Sequence, residues 1–146
     1  MTNNILEIIS EGAKWLTIGG GTYLGAMGIT SFASGLLSKK IRNKKELGII
    51  LEEEASKLGL NNKNISARFG LAEGHVGEAN KLGNKNYEIV LDSFGQDKSC
   101  LKHELYHIYR GDCEGAKYNK NLKSFIKYLF LEEPRAVLYE SFGIKL

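Results

Sequence analysis

The chain has 146 residues and a net charge of +3, which bounds it to one compact domain plus an appendage. So small a positive excess excludes a nucleic-acid surface argued from charge, and no nucleic-acid partner is expected. Its two cysteines, Cys100 and Cys113, exclude a disulfide framework; they fall on or just beyond one helix, too far apart along its axis to bridge, and free thiols suit a reducing compartment.

In chain order, residues 1–14 form a short N-terminal segment with Glu7, Glu11 and Lys14. From Trp15 to Ser38 there are 24 residues without a charge. As a helix this stretch would be about 36 Å long, enough to cross a hydrocarbon core of about 30 Å, so 15–38 is expected to be a single transmembrane helix. Gly21, Gly25 and Gly28 form a small-residue stripe through which two such helices can approach in lipid, giving a homo-oligomer. Residues 39–46 follow as a basic juxtamembrane segment, with five positive charges between Lys39 and Lys45. By the positive-inside rule they place the rest of the chain in the cytoplasm. Two alternatives stand for 15–38. One is a signal peptide cleaved after Ser31-Phe32-Ala33, which would make the protein secreted; the other is a buried glycine-rich hairpin.

Residues 47–146 read as the folded domain. Leu47, Leu51, Ala55 and Leu58 share one face of a helix predicted over 46–58, with Gly59 as its stop. Ile65, Ala67, Phe69 and Leu71 alternate as a strand, residues 72–86 read as a loop, and Tyr87, Ile89 and Leu91 alternate as a second strand ending at Asp92. A helix follows, with Asp97 or Ser99 as N-cap, Leu101, Leu105 and Ile108 on its apolar face, and Gly111 as its stop. Gly111 to Asn121 is a polar connection. Leu122, Phe125, Ile126 and Leu129 then mark a last helix leading to Glu132 and Glu133.

The helix after Asp97 carries His103-Glu104-Leu105-Tyr106-His107. At about 3.6 residues per turn, His103 and His107 project from one face, where two imidazoles can share one metal ion, and Glu104 beside them can take a proton from a water on that metal. The bland alternative is an ordinary helix with two half-exposed histidines. His75, in the turn Gly74-His75-Val76-Gly77, is a loop residue with a small claim on the site.

A strand leading into an H-E-x-x-H helix resembles the zincin metallopeptidases. A metzincin would need glycine at position 110 and histidine at 113, where this chain has Arg110 and Cys113. The gluzincin form, a later glutamate followed three residues on by a small residue, is met by Glu133-Pro134-Arg135-Ala136, so the domain looks like a very small gluzincin. That resemblance implies an α+β fold: a backing helix, a short sheet, the H-E-x-x-H helix and a glutamate-bearing helix. It also implies one zinc ion held by His103, His107 and Glu133.

Alternatives remain open at several positions. Glu132 competes with Glu133, since Pro134 disfavours helical geometry for the residue before it, unless Glu133 opens a new helix with Pro134 at its first position. Asp112 and Cys113 are further metal donors. Val137 stands where such enzymes often carry a residue that orients a ligand histidine, leaving Glu140 or Asp112 for that task.

The activity this implies is hydrolysis of peptide bonds in a peptide or protein substrate, with Glu104 as general base and His75, Arg135 or Tyr139 stabilising the oxyanion. The Tyr87–Asp92 strand is expected to hold an extended substrate by edge pairing. Two readings of other classes stand beside it. One is a non-catalytic, zinc-binding membrane interaction protein; the other is a glycine-rich segment that oligomerises in or perturbs membranes under control of the domain.

Overall fold

The computed structural model describes residues 2–72, 76–111, 113 and 126–146, with side chains from residue 18 onward. Helix α1 (Thr2–Leu37) is followed by α2 (Lys44–Lys57), strands β1 (Asn64–Phe69), β2 (Gly77–Gly83) and β3 (Asn86–Leu91), helix α3 (Lys98–Arg110), a π-helical turn (Tyr128–Glu132) and helix α4 (Glu133–Phe142). This is a small α+β protein, as the alternation of patterns predicts. His75 and Asp112 lie outside the described residues, as does most of the 111–121 connection and the start of the expected last helix.

The sheet has the order β1-β3-β2, with β1 parallel and β2 antiparallel to β3. The inward residues of β3, Tyr87, Ile89 and Leu91, are buried, and Ile65, Ala67 and Phe69 of β1 pack against the same core. Two expectations are corrected here. Residues 72–86 are not all loop, because 77–83 form β2; its Gly-Glu-Ala-Asn-Lys-Leu-Gly sequence contains no β-branched or aromatic residue and is held extended by pairing with β3 rather than by propensity. And β3, expected to offer an edge, is the central strand; β2 is an edge.

Helix α2 starts at Asn43, whose side chain accepts from Glu46 N, and ends ahead of Gly59 at φ +72°. Its buried Glu54 receives Lys57 and Lys98, each at 2.8 Å, so α2 is tied to the start of α3 by an ion pair whose carboxylate would be costly to bury alone. Helix α3 is capped by Asp97, whose Oδ1 accepts from Cys100 N at 2.9 Å while its Oδ2 meets Lys40 Nζ at 3.2 Å. It stops at Gly111, φ +77°, the left-handed geometry a glycine adopts without strain. Leu101, Leu105, Tyr106 and Ile108 are fully enclosed, and Tyr106 stacks on Tyr139 of α4 with centroids 5.0 Å apart.

Helix α1 departs from expectation. It runs unbroken from Thr2 rather than starting at Trp15. Among the described residues, no helix is long and apolar enough to cross a membrane, so the predicted transmembrane span is not supported. Six glycines, with threonines and serines between them, dilute the apolar content of 15–38. Nor does α1 stand apart from the domain. Tyr23 stacks on Phe130 at 6.1 Å, Ser34 Oγ meets Ser99 Oγ at 2.7 Å, and Ser38 Oγ accepts from Ser99 N at 2.8 Å.

The turn between β3 and α3 fixes where the H-E-x-x-H helix begins. Asp92 Oδ1 accepts from Phe94 N and Gly95 N, and Asp92 N donates to Val76 O. A Cβ on Gly95 would lie 1.9 Å from Val76 O and 3.0 Å from Cys100 Sγ. Gly95→Ala is therefore expected to cost about 2–3 kcal/mol in urea unfolding, as overpacking does, whereas Leu71→Ser, at an exposed position just beyond β1, stays within about 0.5 kcal/mol.

Candidate metal centre

Helix α3 packs on the sheet through Leu101, Leu105 and Ile108, and α4 packs along α3 so that two pairs of residues one or two turns apart face each other. His103 and His107 lie on one stripe of α3 with Nε2 atoms 3.1 Å apart. Glu133 and Glu140, seven apart, fall on one face of α4. Glu133 Oε2 is 3.4 Å from His103 Nε2, and its Oε1 is 3.3 Å from His107 Nε2. Glu140 Oε2 lies 2.8 Å from the other ring nitrogen, His103 Nδ1. One imidazole is thus held between two carboxylates of one helix.

Which glutamate faces the histidines is decided by the backbone before α4. In the π-helical turn, Glu133 N–H bonds back to Tyr128 O, five residues away, and Pro134 takes its place in the first turn of α4, where its missing N–H costs nothing. The wider turn sends Glu132 to Lys127, with which it forms an ion pair, and leaves Glu133 to the histidines. Such π-turns often mark functional positions. Val137 is buried in the packing, and Glu140 makes the contact to His103 that Val137 cannot.

The other expected residues divide. Glu104 is buried and lines the same cavity as His103, His107 and Glu133. Cys113 also lines that cavity but is not part of the donor group, which among the described residues consists of His103, His107 and Glu133, all with donor atoms within 4.8 Å of one another. Neither Arg135 nor Tyr139 lines the cavity. Tyr139 belongs to the core, stacked on Tyr106 with Lys102 Nζ 5.3 Å from its ring centre. Tyr128 lines the cavity and stacks near His107, centroids 6.4 Å apart; no motif in the sequence points to it. The cavity holds about 850 Å³. Its far wall, Ser31, Phe32, Gly35 and Leu36 of α1, is equally invisible in the sequence, because it depends on how α1 docks.

Electrostatics follow from the enclosure. Burial pushes the His103 imidazole toward the neutral form, but hydrogen bonds to Glu133 and Glu140 and the charge of Glu104 outweigh it and hold His103 protonated well above the ordinary histidine range. Burial likewise raises Glu133, yet His103 and His107 dominate and hold its carboxyl far below the usual carboxylate range. Burial, then Glu104 and Asp97, push the Cys100 thiol up, so it stays neutral.

Comparison with protein-family models, with curated proteins and with solved structures finds no match to this chain.

The imidazolium–carboxylate pair gives a signed pH dependence. His103, raised on folding, contributes its full stabilisation below its ordinary value of 6.5 and loses it as pH climbs through the raised value. Glu133, lowered on folding, contributes fully above its ordinary 4.5 and loses its share as pH falls toward the depressed value. Both describe one coupled pair, so the metal-free protein draws most from it between pH 4.5 and 6.5. In chelator-treated protein, the gap in urea midpoint between wild type and Glu133→Gln is expected to be widest in that window and to shrink as pH rises past neutrality. A gap that grows with pH would contradict the assignment.

Proposed function

We propose that the chain is a zinc-dependent metalloendopeptidase of gluzincin-like type, with His103, His107 and Glu133 holding one zinc ion and Glu104 as general base. The observation that carries the reading is a spacing. His103 Nε2 and His107 Nε2 lie 3.1 Å apart, and the Glu133 carboxylate spans the pair, its Oε1 3.3 Å from His107 Nε2 and its Oε2 3.4 Å from His103 Nε2, close to the separation of about 3.3 Å between nitrogen and oxygen ligands of one zinc. Each of the three side chains offers one donor atom, all within 4.8 Å of one another, at the wall of the cavity. The donor chemistry fits as well, since two imidazoles and a carboxylate suit zinc. Glu140, on His103 Nδ1, fixes the tautomer that leaves Nε2 free to coordinate.

When bound, the ion supplies Lewis acidity, lowering the pKa of a water and polarising a carbonyl. The rest is done by the chain. Glu104, recessed in the cavity wall, takes the proton of the attacking water on its carboxylate and returns it to the leaving amine. Tyr128, which lines the cavity with its ring stacked near His107, is the residue assigned to the charge that develops on the substrate carbonyl oxygen. Gly77, Glu78 and Ala79 of β2 line the cavity from the edge of the sheet, where an extended peptide can add as a further strand. Gly77 lets β2 lie close against α3 beside the proposed base, since a Cβ there would lie 2.6 Å from Cys100 Sγ and 3.0 Å from Glu104 Oε1.

Two outcomes test the reading. Elemental analysis of the purified full chain is expected to give about one zinc per chain, lost in His103→Ala and Glu133→Gln but kept in Glu132→Gln, whose native partner is Lys127; a folded, zinc-supplied wild type without metal sinks the proposal. Glu104→Gln is expected to keep its zinc while hydrolysis of a mixed peptide pool falls by about a thousandfold. Equal turnover by wild type and Glu104→Gln would remove the assigned base, and full zinc content with no cleavage of any peptide in the pool would favour a zinc-binding protein without turnover.

A further inference from the structure

Between Ile18 and Leu37, helix α1 meets the domain along one stripe. Gly20, Leu24, Met27, Ser31 and Ser34 form its half-buried stripe, spaced by three or four residues, and the positions between them are largely exposed. The exposed side is apolar and uncharged. Ile29 is 71 % exposed, Phe32 69 %, Leu36 68 % and Leu37 89 %, with Ile18 and Tyr23 further along. A soluble surface rarely carries so continuous an apolar face without something that covers it. It runs into the mouth of the cavity, because Phe32 and Leu36 line that cavity together with Val76 and Phe94, which are themselves exposed.

Charge says what covers it. Directly after Leu37 come Lys39, Lys40, Arg42, Lys44 and Lys45. Lys39 and Lys40 pair with Glu46 and Asp97, while Arg42, Lys44 and Lys45 are exposed. An apolar helix face bordered by exposed cations matches the two layers of an anionic bilayer surface, acyl chains beneath and phosphate and carboxylate headgroups above. An interfacial helix normally turns a polar face to water; here the opposite, half-buried stripe of residues 20–34 rests on the domain instead. We propose that the outer face of α1 and the basic segment Lys39–Lys45 dock the protein on an anionic membrane surface, with the cavity mouth turned toward the bilayer. The occupant is a lipid surface rather than a second copy, because a second uncharged α1 face offers the exposed Arg42, Lys44 and Lys45 no opposite charge, whereas an anionic surface does. The proposal does not depend on the metallopeptidase reading.

Co-sedimentation of the full chain with lipid vesicles tests it. Vesicles containing about 30 mol per cent phosphatidylserine in phosphatidylcholine are expected to bind the protein, and binding should fall steeply between about 50 mM and about 500 mM salt. Arg42→Glu, Lys44→Glu and Lys45→Glu together should weaken it by about a hundredfold. Lys44 and Lys45 lie in the first turn of α2, where acids suit the helix dipole, so this variant keeps its fold. Ile29→Ser with Leu37→Ser should weaken binding independently, and unchanged circular dichroism and urea midpoint in both variants separate lost docking from a lost fold. Equal binding to pure phosphatidylcholine vesicles, no binding by folded wild type, or a stable dimer abolished by Ile29→Ser with Leu37→Ser would each overturn the proposal.

Discussion

The contact on which the rest of the structure turns is the grip of Glu133 and Glu140 on the His103 ring. Enclosing two carboxylates and two imidazoles between helices is costly unless each charge meets its opposite, and here the compensation exists in one register of α4 on α3. A slip of one residue would turn Glu133 away from Nε2 and Glu140 away from Nδ1 together. The π-helical turn before α4 sets that phase, and the Tyr106–Tyr139 stack holds it from the apolar side. The cluster is thus at once the interface between α3 and α4 and the candidate site. Polar side chains placed here cannot be exchanged for apolar ones without losing the geometry that the proposed chemistry requires.

The remaining elements position α3. Its start is fixed three ways: by Asp97 as cap, by the Asp92 turn with Gly95 beneath Val76, and by the Lys98–Glu54 ion pair to α2. Its middle lies on β3 through Leu101, Leu105 and Ile108. Hydrophobic burial supplies the driving force, and directional contacts at the ends decide the axial setting to which that force is indifferent. Helix α1 adds a wall to the cavity, joined to the domain by contacts that include the Ser34–Ser99 hydrogen bond and the Tyr23–Phe130 stack. Its role is better sought on its outer side, where the exposed apolar residues meet the basic segment.

The H-E-x-x-H pentapeptide, the β1 and β3 alternation and the span of α2 were all legible from local pattern, because helical and extended periodicities are properties of a few consecutive residues. β2 was not, since a strand without β-branched residues exists only through its neighbour. Nor was the edge available to substrate: three strands can be ordered in several ways, and the antiparallel addition of β2 covers the edge of β3 that its sequence left open. The long uncharged run was read as a membrane span from length and charge, yet its glycines and hydroxyls thin its apolar content and let its inner stripe rest on the domain.

By itself the sequence determined the identity of the candidate chemistry: two histidines one turn apart with a glutamate between them, and a later glutamate to complete the set. Through Pro134 it also offered a helix start at Glu133 as one of two readings. It could not decide between Glu132 and Glu133, nor which ligand histidine Glu140 would meet. Those choices depend on the phase of α4 around α3, set by a π-turn and by packing between segments about thirty residues apart. Periodicity along a chain fixes which residues share a face; only the docking of faces decides which of them meet.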